Sequence, residues 1–145
     1  KAGWVIFKVL LVCAHAFSWS DLPVERYGVC VDVGTAAIQG GVDIELAVAL
    51  AYTESRFNPA ARSPRNAVGP LQIRPVFHCP GKTEKGCDLI KAGIGAIIRY
   101  QDKYGPRLKE VLCHWNSGNR CYRRSRLFAN IVLKRKRALV RAQEK

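Results

Sequence analysis

The pattern of apolar and polar positions predicts a protein built mainly of helices. Residues 44–55 are rich in Ala and Leu and are apolar on nearly every side, which is typical of a buried helix. Asp43 is a good N-cap for this helix, and the pair Gly40-Gly41 separates it from the element before it. The other helices are predicted over 27–39, 88–104, 107–115 and 123–142.

The segment 56–75 interrupts the helical pattern. It contains four prolines and one glycine, a density that no long regular element survives. A short hairpin over residues 68–73 is compatible with this composition. The predicted fold class is therefore mainly α with a small β or irregular element.

The first residues of the chain have the pattern of a leader. Lys1 is basic, residues 4–13 are apolar except for Lys8, which interrupts the run, and Ala14-His15-Ala16 has the small-x-small pattern of a cleavage site. We therefore expect a leader over 1–20 and one domain over 21–145. The alternative is an amphipathic first helix that stays in the mature protein.

The net charge of the chain limits the classes of molecule that it is expected to bind. Its 145 residues carry a formal net charge of +13, from 24 Lys and Arg against 11 Asp and Glu. A surface this basic attracts nucleic acid, anionic lipid or a negatively charged cell wall. Eight of the basic residues lie in the predicted helix 123–142, which could follow phosphates or hold the protein near anionic glycan or lipid.

Six cysteines indicate disulfides and an oxidising compartment, so we expect a secreted or periplasmic protein. Cys13 lies in the predicted leader, and Cys30 is left without an evident partner. The expected disulfides each close a short loop: Cys79 with Cys87, and Cys113 with Cys121.

A metal site is the competing interpretation of these cysteines, because His78 precedes Cys79 and His114 follows Cys113. Neither pair has the C-x2-C spacing of a zinc site. We therefore predict no metal and no cofactor. A nucleophilic Cys113–His114 dyad is also excluded, because adjacent residues of one helix do not face each other.

Glu54 is the candidate for chemistry, because it lies in the last turn of the apolar helix 44–55. Burial raises the pKa of such a carboxyl and keeps it protonated near neutral pH. A protonated carboxyl beside a groove is the general acid that glycosidic cleavage requires. The alternative is a surface glutamate at a helix end.

The residues after Glu54 favour the catalytic interpretation. Residues 54–75 read ESRFNPAARSPRNAVGPLQIRP, residues 94–105 read IGAIIRYQDKYG, and residues 114–118 read HWNSG. These stretches resemble, in order and separation, the E-S-x-F-x-P-x-A-x-S, G-x-x-Y-L and A-Y-N-A-G motifs of soluble lytic transglycosylases. The resemblance covers about residues 27–133.

This resemblance implies a lysozyme-like α+β fold and a peptidoglycan substrate. Glu54 would protonate the bond between N-acetylmuramic acid and N-acetylglucosamine, and then deprotonate the muramic C6 hydroxyl to give a 1,6-anhydro end. No second carboxylate is needed, so Glu84, Asp88 and Asp102 receive no role. The residues expected to bind substrate beside the acid are Ser63, Gln72, Tyr100, Trp115 and Asn116.

Three sites depart from the family pattern. Pro70-Leu71 stands where the family has Leu-Met before the glutamine, which is expected to stiffen the turn and leave Gln72 in place. Trp115 replaces the usual tyrosine, and it either stacks on a sugar or packs in the core. Phe128 stands where the family often has a tyrosine directed at the acid, so one hydrogen bond to Glu54 is expected to be lost unless Tyr100 replaces it.

Three alternatives remain open at this point. A hydrolytic lysozyme shares the fold class and the acid, and a basic nucleic-acid-binding module would need neither, although no specific nucleic acid is expected. The setting is also open, because a wall-remodelling enzyme, a secretion-machine accessory and a virion-associated lysin all fit the sequence.

Overall fold

The computed structural model describes residues 2–144, and most of this range is helical. Lys1 and Lys145, at the outer ends of the two predicted ranges, lie outside the described residues. None of the described helices is both long and apolar enough to cross a membrane. The helices are α1 (Ala2–Phe17), α2 (Arg26–Gly40), α3 (Ile44–Ser55), α4 (Pro75–His78), α5 (Leu89–Tyr104), α6 (Leu108–Ser117) and α7 (Arg123–Ala142), with a short 3-10 helix at Pro80–Lys82.

Helix α3 lies at the centre of the molecule. All of its residues from Ile44 to Tyr52 are buried, as its unbroken apolar pattern predicted. Helices α1, α2 and α7 pack directly on it, while α5 packs on α2 and α6, and α6 packs on α7. The last turn of α3 is thus positioned relative to α5 and α6 through α2 and α7.

The predicted mainly helical class is confirmed, and the small β element is not. Between α3 and α4, Val68 forms isolated bridges with Arg62 and with Ile73, and no strand is assigned in the described range. Gln72 has a φ of 52°, in the left-handed region, so the chain turns sharply between the two bridged residues. The prolines on both sides prevent the ladder from extending.

The segment predicted as a leader forms α1, and one face of this helix is part of the core. Val9, Val12, Cys13 and Ala16 are buried there. Cys30 is bonded to Cys13, so the expectation that Cys30 has no partner was wrong. The pairing was missed because Cys13 was assigned to a segment outside the domain.

Candidate active site

Glu54 lies in the last turn of α3, beside a groove of about 370 Å³. Glu54 as a whole residue is partly exposed. Among residues 2–144, Glu54 is the one carboxylate that lines this groove. The groove also brings together all the residues that were expected beside the acid: Ser63, Gln72, Tyr100, Trp115 and Asn116.

A tight turn after α3 presents Glu54 to the groove. Arg56 and Phe57 have φ values of 52° and 61°, in a region that costs a side-chain-bearing residue about 1–2 kcal/mol. The fully buried Phe57 ring compensates, because it stacks on Phe17 with a centroid distance of 5.7 Å. Ser55 Oγ donates a hydrogen bond of 2.7 Å to the Pro70 carbonyl, which ties the helix end to the loop.

The environment of Glu54 keeps part of its carboxyl protonated near neutral pH. Burial raises the pKa of this carboxyl to about 7, because the surrounding protein solvates the carboxylate less well than water does. A hydrogen bond of 2.8 Å from the indole nitrogen of Trp115 to Glu54 Oε2 opposes that rise without cancelling it.

Trp115 therefore donates a hydrogen bond to Glu54 in place of the one that was expected to be lost at position 128. Phe128 packs against the core, and Tyr100 contacts the Trp115 ring edge-on at a centroid distance of 5.6 Å. Trp115 packs on the core and is also partly exposed in the groove, and its stacking on a sugar stays a prediction.

Ser63 and Gln72 line the groove and also hold its loop in shape. The Ser63 hydroxyl accepts hydrogen bonds from the backbone nitrogens of Arg65 and Ala67, at 3.3 and 3.1 Å. Gln72 Nε2 donates to the carbonyls of Ala61 and Gly69, both at 3.0 Å. Both of these hydrogen bonds use the side-chain nitrogen of Gln72 to hold the loop. Within the described residues, its side-chain oxygen accepts no hydrogen bond.

The end of α6 forms the other wall of the groove and is closed by a disulfide. Asn116 is exposed there, and the Cys113–Cys121 bond brackets it. His114 Nδ1 donates to the Gly118 carbonyl at 2.7 Å, which fixes the turn that ends the helix. The Cys79–Cys87 bond, the other pair expected from the sequence, closes the loop after α4.

Eight residues of the groove lining were not predicted from the sequence, and four of them have charged, aromatic or imidazole side chains: Arg65, Arg74, Phe77 and His78. Arg99 donates to His78 Nδ1 at 2.9 Å. Burial and the Arg99 charge both lower the pKa of His78, which favours the neutral imidazole. Arg65 and Arg74 stand at positions of the stretch 54–75 that the motif leaves open, and Phe77 and His78 lie after it. No motif therefore marks these four positions.

One cluster in the described range has the composition of a metal site. The potential ligand atoms of Glu110, His114 and Cys121 all lie within 4.8 Å of one another. Cys121 is in a disulfide and offers no thiolate, and Glu110 pairs with Arg126 at 3.1 Å. These partners leave an incomplete donor set, so the cluster is not assigned as a metal centre.

Comparison with known proteins agrees with this geometry. The protein-family model for the transglycosylase SLT domain matches residues 33–134, which is more than half of the chain. This range includes Glu54 and Trp115. Neither the curated proteins nor the solved structures gave a match. The chain therefore belongs to the transglycosylase SLT family, the peptidoglycan lytic transglycosylases that cleave glycan strands.

Proposed function

We propose that Glu54 alone carries both proton transfers of the lytic reaction. In the first, the protonated carboxyl gives its proton to the oxygen between N-acetylmuramic acid and N-acetylglucosamine as the C1–O bond breaks. In the second, the carboxylate takes the proton of the muramic C6 hydroxyl, whose oxygen bonds to C1. The products are a 1,6-anhydro-muramic end and a free glucosamine 4-hydroxyl, with no water consumed.

The observation that carries this proposal is a single carboxyl with a raised pKa in the groove. A group with a pKa of about 7 exists in both protonation states near neutral pH, which suits a residue that is acid first and base second. The Trp115 hydrogen bond supports the first step, because it stabilises the carboxylate that forms as the proton leaves Glu54.

The other carboxylates considered from the sequence have different contacts. Glu84 pairs with Arg62 at 2.8 Å, and Asp88 caps α5 by accepting from the Lys91 nitrogen at 3.1 Å. A two-carboxylate glycosidase needs its second carboxyl within about 5–10 Å of the acid, on the groove. The substrate hydroxyl is the better candidate for the nucleophile here.

The polar residues of the groove suit an uncharged sugar backbone. Ser63, Gln72 and Asn116 carry hydroxyl and amide groups, which bond sugar hydroxyls and N-acetyl groups without adding charge. Tyr100 and Trp115 offer aromatic surface beside the acid for a sugar face.

The disulfides bear on where the enzyme works. Three disulfides in the described residues suit an oxidising compartment, and the cell wall lies outside the cytoplasm. We expect secreted or periplasmic action on the wall, and a secretion-machine or virion setting stays a prediction.

Glu54→Gln tests the role of the acid. Glutamine keeps the shape and still accepts from Trp115, but it cannot donate a proton as an acid does, so release of soluble fragments from purified peptidoglycan should fall about a thousandfold. The matched control is Glu45→Gln, the same change on the same helix but outside the groove lining, which should retain most activity while folded. If Glu54→Gln keeps activity within tenfold of the wild type, Glu54 is not the acid.

A further inference from the structure

One face of α1 exposes a continuous row of large apolar side chains. Trp4 and Phe7 are 65% and 51% exposed, and their rings lie 6.2 Å apart. Positions 4, 7 and 11 follow helical spacing, so the exposed side chains share one stripe. The α1 patch consists of Trp4, Ile6, Phe7, Leu10 and Leu11.

The opposite face of α1 is fixed to the domain, so the patch cannot turn inward. Val9 packs so closely on Gly34 of α2 that a methyl group at Gly34 would come within 2.8 Å of it. The Cys13–Cys30 disulfide holds the second half of α1 to the same helix. The patch is therefore a lasting feature of the surface as long as α1 stays with the domain.

The basic helix α7 ends near the start of α1. The Glu45 carboxylate contacts Lys8 of α1 at 3.2 Å and accepts a hydrogen bond of 2.8 Å from Gln143, just after α7. The N-terminal half of α1 and the end of α7 are thus neighbours. Arg137 and Arg141 are exposed on that end of α7.

We propose that the α1 patch and the arginines at the end of α7 dock the protein on an anionic lipid surface. The apolar side chains enter the boundary between headgroups and acyl chains, and the arginines contact anionic headgroups. Tryptophan and phenylalanine beside Lys and Arg are the composition of interfacial helices. Lys and Arg near such a surface add electrostatic attraction to the anionic headgroups.

A second copy of the chain is the other candidate occupant of this patch. Self-association would bring together two molecules that each carry a net charge of +13, and would place the arginines beside the two patches near one another. An anionic bilayer relieves the same charge. The charge therefore favours lipid over a dimer.

Vesicle binding tests the proposal. The chain is mixed with vesicles of phosphatidylglycerol and phosphatidylcholine in equal parts, and with phosphatidylcholine alone, and the bound fraction is measured by sedimentation. We expect Trp4→Ser/Phe7→Ser to weaken binding to the anionic vesicles at least about tenfold. The matched control is Val24→Ser/Val76→Ser, which removes exposed apolar side chains elsewhere and should leave binding within about twofold of the wild type.

The charge is tested in the same assay. Arg137→Gln/Arg141→Gln should weaken binding about tenfold or more and reduce its salt dependence. Lys85→Gln/Lys91→Gln removes the same charge from exposed positions distant in sequence from both α1 and α7, and should act less. Brominated acyl chains quench the fluorescence of an indole that enters the bilayer. With vesicles made from such lipids, Trp4→Phe should bind as the wild type does but should lose most of the quenching that the wild type shows.

Cleavage of soluble glycan fragments tests the proposed function separately from the docking on lipid, because none of the patch residues lines the groove. All these variants should cleave such fragments as the wild type does. Three results would each overturn the docking: Trp4→Ser/Phe7→Ser binding at the wild-type level, equal binding to neutral and anionic vesicles, or a dimer in sedimentation equilibrium that this double variant dissociates and that excludes vesicles.

Discussion

The indole nitrogen of Trp115 lies 2.8 Å from Oε2 of Glu54, although 61 positions separate the two residues in the chain. The bond joins the end of α3 to the last turn of α6 across the groove. It opposes the desolvation that raises the pKa of Glu54, so the pH range of the acid depends on Trp115.

Trp115→Phe should move the alkaline limb of the pH–rate profile to higher pH. The variant keeps an aromatic ring against Tyr100 but loses the donor that lowers the pKa of Glu54, so the acid stays protonated to higher pH. We also expect kcat to fall about tenfold, because the carboxylate that forms in the first step loses a hydrogen bond. Trp19→Phe is the control, since Trp19 contacts Tyr52 outside the groove lining, and an unshifted limb in Trp115→Phe would contradict the assignment.

Glu54→Gln should stabilise the fold at high pH. The pKa of Glu54 is raised in the folded state, so the wild type loses stability relative to the variant as pH rises from about 4.5 to 7 and the carboxyl ionises. Because the side chain is partly exposed, we expect a gain of about 1–3 kcal/mol at pH 8 relative to pH 4, measured by denaturant unfolding.

Glu45→Gln should show the opposite trend in the same measurement. Burial alone would raise the pKa of Glu45, but its hydrogen bonds, first that from Gln143, hold it below its usual value. The charged form therefore stabilises the fold, and this variant should lose stability relative to the wild type as pH rises through the acid range. If the stability of Glu45→Gln and of Glu54→Gln, each relative to the wild type, changed in the same direction with pH, this prediction would be wrong.

The two short disulfide loops offer a matched comparison, because both pairs are eight residues apart. Cys113→Ala/Cys121→Ala and Cys79→Ala/Cys87→Ala should each lower the free energy of unfolding by about 2–3 kcal/mol. Only the first pair brackets Trp115, so it should lower glycan cleavage more at temperatures where both variants are folded. Equal activities would mean that the disulfide does not position that wall.

Gly34→Ala tests whether α1 belongs to the folded domain. A methyl group at Gly34 would lie 2.8 Å from Val9, so the variant should lose about 1–2 kcal/mol. Gly28→Ala lies in the same helix with open space around it, and should be neutral or stabilising by up to about 1 kcal/mol. In a Val9→Ala background the cost at Gly34 should shrink, and identical effects at both glycines would mean that α1 is not packed there.

Helices with a clear apolar period were predictable from the sequence. Helix α3 was expected over 44–55 and α7 over 123–142, and the structure gives the same bounds. The side chains of α7 alternate between core and solvent, and most of those of α3 stay in the core. In both helices the local pattern therefore agrees with the tertiary packing. α1 has equally clear periodicity, but an apolar helix near the start of a chain also resembles a leader.

The position of Glu54 in the groove was also predictable, because a motif marks it. The residue that donates to Glu54 was not, since that choice depends on how α6 packs on α5 and α7. Trp115 reaches the acid from one helix, while Phe128 turns to the core from another. Local sequence contains no signal for this difference.

The chemical form of the products tests the central claim most directly. Muropeptides released from purified peptidoglycan are analysed by mass spectrometry, with water labelled with heavy oxygen. If Glu54 activates the muramic C6 hydroxyl, the muramic ends should be one water lighter than hydrolysis products and should carry no label. Labelled reducing ends would contradict the account, and would mean that water is the nucleophile in this groove.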